Sequence, residues 1–211
     1  FGGLIEGLDD YLNKHKATEI LKAGTTIAEP QLSKILSVQP RIHKVVLKDV
    51  DETYPDELSP ADIAIFIAEK KAKAFNETII NEIVITADTI VCIEGKIIGK
   101  PVDKQHAFEI LSLLSGKKHE VITGVSLLKN GQLYSFCEIS EVYFKKLTPE
   151  QIHYYISIGQ PMDKAGAYGI QEWIGLVGID KINGSYNNVV GLPTHRLYEE
   201  LCKLSVDIAT L

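Results

Sequence analysis

The sequence predicts an α/β protein with a mixed central sheet flanked by helices. Helix start signals alternate along the chain with apolar, strand-like runs, which favours helices layered against a sheet. Residues 79–93 are almost continuously apolar and β-branched, as in a strand buried on both faces. An Asn130-Gly131 turn between two further apolar runs predicts a hairpin. These patterns predict one domain over residues 1–211, in which residues 1–45 are divergent and carry no clear period.

The first two helices are marked by their caps. Ser59 is a favourable N-cap, and Pro60 suits the first helical position that follows it. Asp103 caps a second helix, which Gly116 ends. The apolar strand lies between the two helices, and a short return strand follows it over residues 96–99. The first half of the chain is therefore predicted as a helix, two strands and a second helix.

The second half is predicted as a hairpin followed by helices and loops. The hairpin strands cover residues 121–128 and 133–144. Thr148 and Gln151 form a capping box that opens a third helix. The glycine-rich residues 166–191 favour loops and short strands. Leucines at helical spacing predict a last helix: Leu197, Leu201 and Leu204.

The composition excludes several classes of protein. Lys and Arg total 22 against 28 Asp and Glu, and this net charge of −6 argues against a nucleic-acid surface. No apolar run reaches the roughly 20 residues that span a bilayer, and no secretory signal peptide is visible. The cysteines have no metal-ligand spacing and are predicted as buried, reduced thiols: Cys92, Cys137 and Cys202. We therefore expect a cytoplasmic protein without nucleic-acid or membrane partners.

Asp88 is the strongest single candidate for chemistry. It stands within the apolar run of residues 79–93, where a carboxylate is costly unless it is paired, metal-bound or protonated. One interpretation is a general base or a metal ligand at the end of a strand. The alternative is that the strand breaks at Asp88 and that its side chain caps a turn.

Other charged residues could act with this carboxylate. Residues 49–55 form an acidic cluster that includes Glu52, although a solvated acidic loop has the same pattern. On the first predicted helix, periodicity nominates Lys70 or Lys71 as partly buried and cannot choose between them. Solvated surface lysines are the alternative there. Lys100 lies on a constrained turn between a glycine and a proline.

The glycine-rich residues 163–171 are a candidate ligand-binding loop. Asp163 and Lys164 place an acid beside a base and are candidate substrate-binding residues. The glycines that follow let the backbone approach a ligand, and the Gln171 amide can read a polar edge. The loop matches no standard phosphate-binding pattern, so ordinary turn chemistry is the alternative.

The remaining polar residues argue against covalent catalysis. The six histidines share no metal spacing, and the sequence contains no nucleophile elbow. Carboxylates can hold Mg²⁺ and activate water, while lysines can neutralise phosphate oxygens. This inventory predicts a metal-assisted hydrolase that cleaves a phosphoric anhydride.

Several short segments follow one another in an order that is specific to one family. They are Asp51-Glu52 with Tyr54-Pro55, Glu69-Lys70-Lys71-Ala72, Thr86-Ala87-Asp88-Thr89, Gly99-Lys100-Pro101, Leu114-Ser115-Gly116 with His119, Thr123-Gly124-Val125, residues 163–171 and residues 184–193. In these segments the sequence resembles the Maf family of nucleoside triphosphate pyrophosphatases, over residues 45–204. The resemblance implies a fold like that of Maf and inosine triphosphate pyrophosphatases. It also implies hydrolysis of a nucleoside triphosphate between its α and β phosphates. The reaction is expected to use a divalent cation, Mg²⁺ in the first place and Mn²⁺ as the alternative, and the protein is expected to form a homodimer.

The resemblance also implies roles for the charged candidates. Asp88 matches the proton acceptor that activates water. Glu52 matches a metal-binding position, and we expect Glu52 and Asp88 to converge on one divalent cation. Lys71 and Lys100 match residues that hold phosphates, and the motif prefers Lys71 over Lys70.

Two further positions match residues linked to substrate choice, Thr89 and Gln171. The form Gly169-Ile170-Gln171 is similar to the branch of the family that accepts dTTP and UTP. An amide can donate and accept toward the O4 and N3–H of a pyrimidine. We therefore expect Gln171 at the floor of the cleft, facing a pyrimidine ring. The alternative is that Gln171 satisfies buried backbone groups of its turn.

The sequence departs from the family at its beginning. Family members open with Ser-x-Ser-Pro-Arg-Arg, and this sequence has no such motif; its nearest proline, Pro30, is followed by Gln31 and Leu32. Some lysines could substitute but lack the bidentate fork of arginine: Lys16, Lys22 and Lys34. Three interpretations stay open: an active pyrimidine nucleotide pyrophosphatase, a catalytically weakened nucleotide-binding or regulatory protein, and a purine-directed pyrophosphatase.

Overall fold

The computed structural model describes residues 50–75 and 83–205. All of these belong to one compact unit, Val50–Leu211. The divergent residues 1–45, with Pro30 and the lysines considered as substitutes for arginine, lie outside the described residues. The single domain over residues 1–211 therefore stays a prediction.

A five-stranded sheet with flanking helices makes up the described part of the chain. Its strands are β1 Ile83–Ile93, β2 Lys96–Ile98, β3 Lys118–Lys129, β4 Gln132–Phe144 and β5 Ile179–Asn183. The helices are α1 Pro60–Lys73, α2 Lys104–Leu114, α3 Pro149–Ile158, α4 Trp173–Gly178, α5 Tyr186–Val190 and α6 Thr194–Ser205, with 3₁₀ turns at Pro161–Asp163 and Ala165–Ala167. The strand order is β2-β1-β3-β4-β5.

The α/β class and the central sheet flanked by helices are confirmed. Within residues 83–205, every strand pairing is antiparallel, so the described sheet contains no parallel pair of the kind that a mixed sheet requires. Tight turns reverse the chain between β1 and β2 and between β3 and β4, whereas longer connections with helices join β1 to β3 and β4 to β5. Asn130 and Gly131 form such a turn between β3 and β4, and both have positive φ, as the hairpin prediction requires.

The predicted helix caps are confirmed as well. The side chains of Ser59 and Asp103 accept hydrogen bonds from backbone N–H groups in the first turns of α1 and α2. Thr148 and Gln151 form the reciprocal capping box of α3. Each cap satisfies backbone donors that a helix start leaves without a partner, which fixes where these helices begin.

The burial predicted for the apolar strand is confirmed only for its second half. Residues 90–93 of β1 are buried, whereas residues 83–89 are half-buried. The buried half is covered on both faces of the sheet. Ile90 packs against Ala64 of α1, while a Cβ at Gly166 would lie 3.0 Å from the Val91 side chain. Residues 79–82, included in the predicted strand, lie outside the described residues.

Helix α1 approaches one face of the sheet through a glycine. Gly124 of β3 pairs with Asp88 of β1, and a Cβ at position 124 would lie 2.2 Å from the backbone carbonyl carbon of Ala64. Ala64 and Ala68 of α1 are fully buried at this contact side of the helix. The absence of a side chain at Gly124 is therefore what lets the α1 backbone contact the sheet.

Two expectations from the composition concern thiols and membranes. Cys92 is buried as predicted, but Cys137 is half-buried and Cys202 is exposed, because it lies on the solvent side of α6. The burial predicted for Cys202 is thus wrong. Among the helices of residues 50–75 and 83–205, none has the length and apolar character needed to cross a membrane.

His119 of β3 lies in a closed aromatic environment. Its side chain is 1% exposed, its Nε2 is 2.8 Å from the Tyr168 hydroxyl, and its ring packs edge-on against Phe144 and Tyr168. Burial lowers the pKa of His119 to about 4. The neutral imidazole is therefore the form that the folded protein holds at neutral pH.

This burial predicts a loss of stability in acid. An unfolded histidine has a pKa near 6.5, so the unfolded chain binds a proton more readily than the folded one between about pH 6.5 and pH 4. His119 stabilises the fold fully above this window and loses that contribution as the pH falls through it. Between pH 7.5 and pH 5, we expect about 2 kcal/mol of the free energy of unfolding to be lost through this residue. Urea unfolding of the wild type and of His119→Gln at both pH values checks this. An equal pH dependence in both proteins would contradict it.

Candidate active site

Lys71 joins two acidic residues that are distant in sequence. Its Nζ lies 2.6 Å from Oδ1 of Asp88 and 2.8 Å from Oε1 of Glu52. Helix α1 carries Lys71, β1 carries Asp88, and Glu52 lies in the irregular segment before α1. Glu52 and Asp88 thus lie close together, with one ammonium nitrogen between the two carboxylates, while their convergence on a divalent cation stays a prediction.

Burial and charge act in opposite directions on these three groups. Burial raises the pKa of the Asp88 carboxyl, and the nearby Lys71 ammonium only partly offsets this. Burial lowers the pKa of Lys71, but Asp88 and Glu52 outweigh it, so the net pKa of the ammonium is above its usual value. Burial raises the pKa of Glu52, but the Lys71 hydrogen bond and the charges of Lys71 and Lys100 together outweigh it, so the net pKa is lowered. Asp88 is therefore the carboxylate of the cluster with the greater affinity for a proton.

Asp88 also keeps one oxygen available. Its Oδ1 accepts the hydrogen bond from Lys71, while its Oδ2 has no hydrogen-bond partner within the described residues. Its side chain is 13% exposed, so this oxygen lies in a largely desolvated but accessible position. These features are those of a general base, and they contradict the alternative in which β1 breaks at Asp88 to cap a turn.

Lys70 makes a separate ion pair outside the cluster. Its Nζ lies 2.9 Å from Oδ2 of Asp51 and 3.2 Å from the Thr53 carbonyl oxygen. A hydrogen bond from the Thr53 hydroxyl and a weaker contribution from the Lys70 hydrogen bond lower the pKa of Asp51 to about 2. The structure thus resolves the ambiguity that helical periodicity left, because Lys71 contacts Asp88 and Lys70 does not.

Lys100 completes the charged surroundings of the cluster. It is exposed just beyond β2, and its charge lowers the pKa of both Glu52 and Asp88. The backbone carbonyl of the preceding Gly99 accepts a hydrogen bond from the N–H of Gly166 at 3.2 Å. Lys100 therefore follows the point where the glycine-rich loop is attached to the end of β2. A shallow surface depression of about 470 Å³ includes Glu52 in its lining, with Asp51, Thr53, Tyr54 and Asp56.

Thr89 lies on the other face of the sheet from Asp88. Successive side chains of a strand point to opposite faces. Accordingly, Asp88 contacts α1, whereas the Thr89 hydroxyl lies 2.9 Å from that of Thr123 on β3. Thr123 in turn donates to the Asn188 carbonyl oxygen in α5. Within the described residues, Thr89 makes no contact with the Asp88 cluster.

Gln171 is exposed rather than placed on the floor of a cleft. It lies in a turn closed by a hydrogen bond from the Glu172 N–H to the Gly169 carbonyl oxygen, at 3.0 Å. The turn directs its side chain outward, which corrects the predicted placement. Its amide has no hydrogen-bond partner within the described residues, so it does not satisfy backbone groups of the turn, as the alternative proposed.

Asp163 and Lys164 are engaged with the protein itself. The Lys164 side chain is 11% exposed and contacts the carboxylates of Asp163 and Glu172, each at 3.0 Å. It also donates to the Gln160 carbonyl oxygen at 2.6 Å. Three acceptors therefore use the donors of the ammonium, and the substrate-binding role expected for Asp163 and Lys164 stays a prediction.

Two polar residues that position α1 on the sheet were not identified from the sequence. The Thr86 hydroxyl donates to the Ala68 carbonyl oxygen at 2.6 Å, and Ser135 donates to the Glu69 carboxylate at 2.8 Å. Both contacts lie close to Lys71 along α1 and fix the face that the helix presents. The alternation of β1 could have indicated Thr86, because it places Thr86 on the same face as Asp88.

Glu52 and Asp88 are the residues of the cluster that could hold a magnesium ion. Both offer hard oxygen atoms, the kind of ligand that Mg²⁺ takes, and the Lys71 ammonium lies between them. No group of three or more His, Cys, Asp or Glu side chains suited to a metal occurs within residues 50–75 and 83–205. Two carboxylates suffice for Mg²⁺, which keeps several water ligands and takes others from substrate phosphates.

Comparisons with known proteins agree on one family. The model of the family described as Maf-like protein matches residues 31–204. A dTTP/UTP pyrophosphatase of Bacteroides fragilis is 53% identical over 159 residues, covering 75% of this chain and 82% of its own. Relatives of the same name from Phocaeicola vulgatus and Flavobacterium johnsoniae are 44% and 43% identical over 202 and 198 residues. These alignments cover 95% and 93% of this chain, and 100% and 99% of the relatives.

Proposed function

The chain belongs to the Maf family, and on that premise we propose that it hydrolyses dTTP and UTP to the nucleoside monophosphate and pyrophosphate. It is a hydrolase that acts on the anhydride bond of a nucleoside triphosphate. The observation that carries the proposal is the contact of Lys71 with both Asp88 and Glu52. This contact brings together the charged residues of three segments in which the sequence resembles the family.

Asp88 acts as the base that activates water. Its Oδ2 accepts a proton from a water molecule, and the oxygen of this water attacks the α phosphorus of the triphosphate. The bond between the α phosphorus and the oxygen that bridges it to the β phosphorus breaks, and pyrophosphate leaves with the electron pair. Burial supports this role, because it raises the pKa of Asp88 and so favours proton acceptance. The Lys71 hydrogen bond to Oδ1 holds the carboxylate in place during the transfer.

Lys71 and Lys100 neutralise the phosphates. An ammonium has three donors, and Glu52 and Asp88 use two of those on Lys71, which leaves one for a phosphate oxygen. The exposed Lys100 contributes a second positive charge on the side of β2. Glu52 and Asp88 would hold the divalent cation, Mg²⁺ in the first place, which would supply further charge neutralisation at the phosphates when bound.

We assign the recognition of the nucleobase to Gln171. Its exposed amide offers one donor group and one acceptor to O4 and N3–H of uracil or thymine. Gln171→Glu removes the donor and adds a charge. We expect kcat/KM for dTTP and UTP to fall by about tenfold or more while thermal stability is unchanged, because the side chain is exposed. Gln160→Glu adds the same charge at another exposed position as a control. An unchanged preference across nucleotides in Gln171→Glu would contradict the pyrimidine assignment.

A panel of nucleoside triphosphates tests the proposed function. The wild type is incubated with dTTP, UTP, CTP, dGTP and dATP in the presence of Mg²⁺, and pyrophosphate release is measured. We expect turnover of dTTP and UTP in clear preference to both purines. Binding of dTTP without turnover would support the nucleotide-binding or regulatory alternative instead. Preferential turnover of a purine would support the third interpretation.

Two further features belong to the proposal. We infer a homodimer and a cytoplasmic location, which the family resemblance and the thiol usage favour. Light scattering of the purified full chain checks the oligomeric state, and a mass of one chain would contradict the homodimer. A cation panel checks the metal, with Mg²⁺ expected to support turnover better than Ca²⁺, which takes longer oxygen bonds and more ligands.

A further inference from the structure

One backbone hydrogen bond joins the two ends of the turn that carries Gln171. The Glu172 N–H donates to the Gly169 carbonyl oxygen at 3.0 Å, so Ile170 and Gln171 occupy the two central positions. Ile170 is 7% exposed and anchors the turn in the core, whereas Gln171 points to solvent. Such a turn presents one polar side chain from a fixed backbone.

A single hydroxyl holds the two ends of this turn. Tyr155 of α3 is fully buried, and its hydroxyl accepts the Gly169 N–H at 3.1 Å while donating to the Glu172 carboxylate. The residues on both sides of the Ile170-Gln171 pair are therefore attached to one atom of a helix. Tyr155→Phe removes this hydroxyl alone, since phenylalanine has the same ring.

The same carboxylate is fixed from its other side. Oε1 of Glu172 lies 3.0 Å from the Lys164 ammonium, which also contacts Asp163 and the Gln160 carbonyl oxygen. A Cβ at Gly169 would lie 3.0 Å from both the Glu172 and Lys164 side chains, so the turn packs directly on this ion pair. Asp163 and Lys164, which the sequence predicts as substrate-binding residues, thus help to stabilise the turn.

We propose that Tyr155 is a positioning residue for nucleobase selection, acting through the Gln171 turn. Gln171 can discriminate between bases only if its amide keeps one direction, because a mobile amide offers donor and acceptor equally to any polar edge. The Tyr155 hydroxyl contributes to that constraint by tying Gly169 and Glu172 to α3, which fixes the backbone from which the Gln171 side chain extends. This inference rests on the proposed function, in which Gln171 faces the pyrimidine.

Tyr155→Phe tests the proposal with the loss of one oxygen atom. Selectivity is measured as kcat/KM for dTTP divided by kcat/KM for dCTP, so that the sugar is the same, with dGTP as a second comparison. We expect this ratio to fall by about tenfold in Tyr155→Phe, mainly through a higher KM for dTTP. Tyr143→Phe is the matched control, because it also removes a tyrosine hydroxyl that donates to a carboxylate, that of Glu141, outside residues 163–171. Its selectivity should equal that of the wild type.

A double-mutant cycle separates positioning from general destabilisation. If Tyr155 acts through Gln171, Tyr155→Phe should lower selectivity in the wild type but not in a Gln171→Ala background. An equal loss in both backgrounds, or unchanged selectivity in folded Tyr155→Phe, would overturn the proposal. If Tyr155→Phe fails to fold, Glu172→Ala takes its place, since it removes the other contact of the hydroxyl and must lower the same ratio.

The outcome for the wild type separates this inference from the function on which it rests. A wild type that shows no preference for dTTP over dGTP overturns the pyrimidine assignment and the Tyr155 role together. A wild type that prefers dTTP, combined with a Tyr155→Phe variant of the same preference, overturns the Tyr155 role alone. Circular dichroism melting of each variant shows that selectivities are compared between folded proteins.

Discussion

Asp88→Asn is expected to fold normally and to lose nearly all hydrolysis of dTTP, by about 10²–10⁴-fold in kcat. The variant keeps the size of the side chain and an oxygen that accepts the hydrogen bond from Lys71, but an amide cannot take a proton from water. In the wild type, the rate should also fall as the pH drops through the raised pKa of Asp88, because the base becomes protonated. The small residual rate of Asp88→Asn should not follow that profile.

The neighbouring ion pair supplies a matched control for this experiment. Asp51→Asn alters a carboxylate that contacts Lys70 instead of Lys71, on the same helix and close in sequence to Glu52. It should keep a rate close to that of the wild type, measured as pyrophosphate release under the same conditions. Comparable losses in both variants would show that general charge, rather than a base at Asp88, governs the rate. Near-wild-type turnover in Asp88→Asn would contradict the assignment directly.

Gly124→Ala is expected to damage both stability and activity. The added methyl would lie 2.2 Å from the Ala64 carbonyl carbon and 2.3 Å from its oxygen, so the backbone of α1 must move away from the sheet. We expect a loss of about 3 kcal/mol in the free energy of unfolding from this overpacking. Since α1 carries Lys71, the same movement separates its ammonium from Asp88. We expect kcat to fall by about 10²-fold, as when a reacting group is displaced by about 1 Å.

A second glycine controls for the substitution itself. A Cβ at Gly99 meets no atom within 4 Å, and its φ is not in the left-handed region, so Gly99→Ala should leave the free energy of unfolding almost unchanged. Urea unfolding of both variants gives the comparison. If Gly124→Ala were as stable and as active as the wild type, α1 would not depend on this contact for its position.

The features of the fold that depend only on neighbouring residues, such as helix caps and tight turns, could be predicted from the sequence. The caps at Ser59 and Asp103 and the Asn130-Gly131 turn depend on neighbouring backbone groups alone, and the structure confirms all of them. The burial of β1 was predictable only for its second half. Its first half is also largely apolar in sequence but is only half-buried. The burial of each part of a strand depends on which distant segment packs against it, as Gly166 packs against Val91, and the sequence alone does not show this.

The candidate site shows the same division. Asp88 was identifiable from sequence, because an isolated carboxylate in an apolar strand must find a partner. Helical periodicity could not choose between Lys70 and Lys71, although the family motif preferred Lys71, because only the contact with β1 separates the two lysines physically. The support of the Gln171 turn by Tyr155 could not be predicted either, because α3 and the turn meet only in the folded chain.

The most direct measurement is the identity and ratio of the products formed from dTTP. The purified chain is incubated with dTTP and Mg²⁺, and dTMP, dTDP, pyrophosphate and orthophosphate are quantified together over time. The account predicts equal amounts of dTMP and pyrophosphate in the wild type, and neither product above background in Asp88→Asn. Formation of dTDP with orthophosphate, or no turnover of dTTP or UTP by the wild type, would contradict it.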